Sequence, residues 1–79
     1  MMVKVELLEL NDTCAIYKYF PEYETSLHGI ISVDRQTLKR TIIKLAQGYT
    51  NEYAFQACRE IERFINTNNF KETSVVAWY

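Results

Sequence analysis

Residues 51–66 are the one stretch of this 79-residue chain with a clear helical period, and a helix of that length covers one face of a sheet and no more. Ala54, Ala57, Cys58, Ile61, Phe64 and Ile65 recur at i, i+3 or i+4, opposite Glu52, Arg59, Glu60, Glu62 and Arg63. Thr50 or Asn51 can accept hydrogen bonds from the first N–H groups, and Asn66, Asn68 and Asn69 suit an end in left-handed geometry. The remainder of the chain must supply the surface on which this helix lies.

That remainder reads as strands. Val3, Val5 and Leu7 alternate with Lys4 and Glu6, which predicts a half-buried strand over 3–10, closed by the turn residues Asn11 and Asp12. Residues 13–20 follow as a second strand that Pro21 stops, and the short connection predicts an antiparallel hairpin. A third strand over 27–33 places Leu27, Ile31 and Val33 on one side and His28, Ile30 and Ser32 on the other. Residues 35–46 read two ways. Asp34 suits a helix cap before Leu38, Ile42, Leu45 and Ala46, with Gly48 beyond. Yet Asp34-Arg35-Gln36-Thr37 also reads as a turn, and the β-branched residues of Arg40–Leu45 favour a strand. The apolar segment 73–79 joins the sheet as a last strand. The predicted fold is an α+β domain spanning 1–79: an antiparallel β-meander, one amphipathic helix and a final strand (β-β-β-β-α-β), the alternative being β-β-β-α-α-β with 35–46 helical.

Gly29-Ile30-Ile31-Ser32-Val33-Asp34, Thr37, Ile42-Ile43-Lys44-Leu45-Ala46, the helix and the closing Val76-Ala77-Trp78-Tyr79 together resemble small uncharacterised bacterial proteins in which a strand-turn-strand unit precedes one helix. The resemblance implies a strand over 40–46. It implies no activity.

Nine Lys and Arg against ten Asp and Glu provide no overall field to concentrate a polyanion. Two distant cysteines, Cys14 and Cys58, do not form the framework of a small secreted domain, so a reduced, cytoplasmic protein is expected. Lys4, Glu6 and Glu9 interrupt any secretory apolar core near the start, and no segment reaches the roughly 20 apolar residues of a membrane helix.

No constellation for catalysis stands out, and no enzyme is expected. One histidine, His28, and two isolated cysteines fall short of a four-ligand zinc site, and a lone pair of glycines cannot cradle a phosphate, so neither metal nor cofactor is expected. A nucleophilic unit assembled from Cys58, His28 and Asp34 would need a thiol that the helix pattern turns inward. The carboxylate pairs Glu22 with Glu24 and Glu60 with Glu62 read as solvated surface.

Two features point to partners. Arg35, Lys39, Arg40 and Lys44 form a basic cluster with no acid between them. If Val3, Val5 and Leu7 face the helix, then Leu8, Leu10 and Ile30 face away, joined by Ile16 and Phe20 or by Tyr17 and Tyr19 according to register. Such a face calls for cover, by a second helix, a curled sheet, a second copy or another protein. The expectation is a small non-enzymatic interaction or regulatory protein, its partner a protein or itself as a homodimer. Tyr17, Tyr19 and Phe20 would be the anchors, and Arg35, Lys39, Arg40 and Lys44 would orient an acidic partner. The alternative is a nucleic-acid accessory protein using the same cluster.

Overall fold

A computed structural model of the protein describes residues 1–79. Alternation and β-branching produce the strands β1 (Met2–Leu10), β2 (Cys14–Pro21), β3 (Gly29–Asp34), β4 (Arg40–Lys44) and β5 (Thr73–Ala77), with one helix, α1 (Asn51–Thr67), between β4 and β5. The element order is the β-β-β-β-α-β of the main expectation. All pairings are antiparallel in one open sheet of order β4-β3-β2-β1-β5. Four strands run as a meander, and α1 then carries the chain across one face so that β5 docks beside β1.

Residues 35–46 resolve as turn and strand. Asp34 Oδ1 accepts the N–H groups of Gln36 (2.8 Å) and Thr37 (2.9 Å), so the side chain that could start a helix caps a single turn instead. Leu38, at φ 62°, lies in the left-handed region and ends that turn before β4 begins. The third strand starts two residues later than predicted: Leu27 is an exposed loop residue and does not join Ile31 and Val33 on the inner face.

The helix lies on the inner face. Ala54, Ala57, Cys58, Ile61 and Phe64 pack against Val3, Val5, Ala15, Tyr17, Tyr19, Ile31 and Val33 in one core, to which Ala46 also belongs. Small residues at 54 and 57 keep the helix close to the sheet. The start of α1 differs from expectation, since Thr50 is the N-cap but neither its side chain nor that of Asn51 caps the helix. Its end follows expectation: Asn68 is left-handed, and the Asn68 and Asn69 N–H groups reach the carbonyls of Ile65 (3.1 Å) and Phe64 (3.0 Å). No helix is long and apolar enough to cross a membrane.

Candidate functional site: the uncovered sheet face and its edges

The register of the sheet decides which side chains remain available. Val5 pairs with Tyr19 and Leu7 with Tyr17, so both tyrosines lie beneath the helix and are 0% exposed. Tyr17 Oη donates to the Lys71 carbonyl at 2.7 Å, tying β2 to the segment before β5, and burial pushes its pKa up to about 12. Tyr19 Oη accepts the Ala46 N–H at 2.9 Å, and burial raises this phenol as well. Expected as partner anchors, Tyr17 and Tyr19 are core residues, because the alternation of β2 turns them inward together.

Ile16, Lys18 and Phe20 take the opposite face. Ile16 stands against Ser32, Lys18 against Ile30 and Glu6, and Phe20 against Lys4, which in turn stands against Val75. Of the three expected aromatic anchors only Phe20 is on this face. There it packs against the His28 ring at 5.5 Å and is just 8% exposed. Ile16, Ile30, Phe20 and Val75 are thus interleaved with Lys4, Lys18 and Glu6, whose stems cover part of the apolar surface. The face is amphipathic, less uniformly apolar than the sequence implied. Lys18 shares the parity of Ile16 and Phe20, and a lysine in the middle of a strand marks the wet face. That was the signal that separates the two readings of β2.

Two register shifts redirect other candidates. Leu7 pairs with Tyr17 and Glu9 with Ile16, so Leu8 is the extra residue of a bulge and Leu10 falls opposite Ala15, on the helix side of the sheet. Leu10 therefore does not join Leu8 on the uncovered face. In β4, Ile42 pairs with Ile31 and Lys44 with Ile30, leaving Ile43 as the extra residue. Arg40 stands in register with Val33, toward the helix, whereas Lys44 stands with Ile30, toward the uncovered face. A regular strand would point Arg40 and Lys44 to one side, and the bulge separates them.

The basic cluster is dispersed and partly neutralised. Arg40 makes a two-pronged ion pair with Glu62 of the helix, its Nη2 donating to Oε1 at 3.1 Å. Arg35 donates to the Asn11 carbonyl at 2.7 Å and sits 4.9 Å from the centre of the Phe70 ring. Lys39 and Lys44 are exposed and in no ion pair.

The groups weighed for chemistry do not converge. Cys58 lies under the helix, His28 stacks on Phe20 across the sheet, and Asp34 is occupied by its turn. Burial pushes the Cys58 thiol up to about 11, partly opposed by the nearby Arg40 guanidinium. Glu60, read as solvated, is 9% exposed: it accepts Arg63 Nε and Nη2, both at 2.9 Å, and Ser74 Oγ at 2.6 Å. Burial alone would raise its pKa, but these hydrogen bonds outweigh burial and hold it below the ordinary carboxylate value. Glu22 and Glu24 are likewise lowered, Glu22 chiefly by the Tyr53 hydroxyl and Glu24 by the Ser26 hydroxyl. None of these carboxylates is poised to give up a proton near neutral pH.

The sheet ends in two unlike edges. β4 is short, bulged and bounded by Arg40 and Lys44, a combination that blunts pairing with another strand. β5 is uncharged from Thr73 to Ala77, pairs with β1 without interruption, and has Thr73, Val75 and Ala77 exposed. No family model, curated protein or solved structure matches the chain, so its function is argued from this geometry alone.

Proposed function

We propose that this protein is a small non-enzymatic interaction module that binds a polypeptide through the uncovered side of its sheet. One observation carries this reading: a single helix covers one face of five strands, and no helix or strand lies over the other, where Ile16, Ile30 and Val75 stand beside a Phe20 that His28 of the loop after β2 covers. Aliphatic side chains interleaved with Lys4, Lys18 and Glu6 fit a partner surface of mixed character, where apolar contacts give affinity and the charges fix orientation. The exposed ends of Lys39 and Lys44 lie toward the β4 side and favour an acidic rim on that partner.

The test uses the tagged full chain and its Ile30→Lys variant, introduced into the cells that produce the protein and recovered after cross-linking. A discrete polypeptide retained by the parent chain and lost with Ile30→Lys, at unchanged melting temperature, supports the reading. Equal recovery by both proteins overturns it. Saturable binding of single-stranded DNA at low salt, abolished by Lys39→Ala with Lys44→Ala, would transfer function to the basic residues instead.

A further inference from the structure

The edge strand β5 has the properties of a self-pairing surface, and we propose that two copies of this chain join there, antiparallel about Val75, into one continuous sheet. The pairing uses the β5 edge and leaves the uncovered face of the sheet free, so it goes beyond the reading above.

The backbone supplies the first argument. The Leu7 N–H reaches the Glu72 carbonyl at 2.7 Å, the Trp78 N–H reaches the Met1 carbonyl at 2.9 Å, and the Met1 nitrogen returns to the Trp78 carbonyl at 2.9 Å. In an antiparallel ladder the inward groups alternate along the strand, so Glu72, Ser74, Val76 and Trp78 face β1. The N–H and C=O groups of Thr73, Val75 and Ala77 consequently point outward from the edge. A two-fold axis at Val75 sets Val75 against its own copy and Thr73 against Ala77 of the second copy. Every one of those outward groups then exchanges a hydrogen bond. The segment holds no proline, charge or bulge to oppose this.

Side-chain charge supplies the second argument. Glu72 pairs with Leu7 just before β5, which by register puts it on the helix-facing side, at the end of the sheet where Glu6 and Glu9 also line a hollow. Arg59 lies at the other end of the strand, lining a hollow with Ala77 and Trp78. Neither Glu72 nor Arg59 belongs to an ion pair, since the two pairs in the fold are Arg40 with Glu62 and Arg63 with Glu60. The axis at Val75 places Glu72 opposite Trp78 of the second copy and hence beside that copy's Arg59, once on each side of the axis. Arg63, nearer the axis, is already neutralised by Glu60. The opposite edge lacks this complementarity. β4 is interrupted by the extra residue Ile43 and carries a lysine at its end, and both features oppose regular pairing with a second strand.

Sedimentation equilibrium of the full chain tests the proposal. Edge pairing buries little area, so a dimer with Kd of about 100 µM or tighter is expected. Val75→Lys, which opposes two ammonium groups on the axis, should weaken it at least about tenfold, whereas Ile43→Lys at the other edge should not. Glu72→Arg and Arg59→Glu should each weaken the dimer, and the double variant should restore it. Amide exchange at Thr73, Val75 and Ala77 should slow as protein concentration rises. A chain monomeric to millimolar concentration, a dimer lost with Ile43→Lys but not with Val75→Lys, or a double variant no tighter than either single one overturns the proposal. Melting curves on every variant separate lost pairing from lost fold. A monomer that still retains another polypeptide through Ile30 overturns self-pairing and leaves the interaction reading standing.

Discussion

Gly29 is small because Tyr19 occupies the space above it. The two residues pair across β2 and β3, and a Cβ on Gly29 would fall within the Tyr19 ring. The ring cannot move away cheaply, being 0% exposed with its hydroxyl holding the Ala46 N–H. Gly29→Ala should therefore destabilise the protein by about 3 kcal/mol, the upper end of the usual overpacking penalty, as read by urea denaturation. Gly29→Ala with Tyr19→Ala should be less destabilised than the sum of the two single changes, since the clash is gone. At this scale the sequence was informative about residue type and silent about partners. That Val3, Val5, Ile31 and Val33 would be core was legible from alternation, whereas the close fit of Tyr19 over Gly29 depends on which residues of two strands stand opposite each other.

The helix and its flanking strands meet through polar groups as well as apolar ones. Glu60 ties α1 to β5 by accepting Ser74 Oγ, and Glu62 ties α1 to β4 through Arg40. Because the folded pKa of Glu60 lies below its ordinary value of 4.5, the unfolded chain binds more protons between the two values. The stability it contributes is fully present above about pH 4.5 and is lost as pH falls through the lowered folded value. Glu60→Gln should lower stability at pH 7 by about 1 to 2 kcal/mol and flatten the acid limb of a stability–pH curve relative to the parent chain. Equal acid limbs in the two proteins would refute that role. Element types were readable from the chain: the helix over 51–66 stands within one residue, and β-branching of Thr41, Ile42 and Ile43 correctly favoured a strand over a helix. The bulges at Leu8 and Ile43 were not readable, since an extra residue leaves no mark on composition and reveals itself only against a partner strand.

Across the whole molecule one core links helix and sheet, and the two cysteines report on it from different depths. Cys14 is half-buried on β2, while Cys58 is wholly buried with its thiol pushed up to about 11. In native buffer at pH 8 a thiol reagent should modify Cys14 at least about tenfold faster than Cys58, and Cys58 should react only at the rate of global opening. Comparable rates at the two sites would show that the helix detaches without unfolding the sheet. Alternation, helical period and turn residues, all local properties, determined from the sequence alone that this chain is an α+β domain with a helix over 51–66, while the choice between strand and helix for 35–46 was resolved by the turn that Asp34 caps. Only the tertiary structure decided that Tyr17 and Tyr19 belong to the core, that Arg40 is paired with Glu62, and that β4 and β5 are edges of different character. Those outcomes depend on pairing between distant residues, where a slip of one position exchanges the two faces of a strand. A side chain's parity is written in its own segment; the face to which that parity corresponds is set by the strands beside it and by where the helix comes to rest.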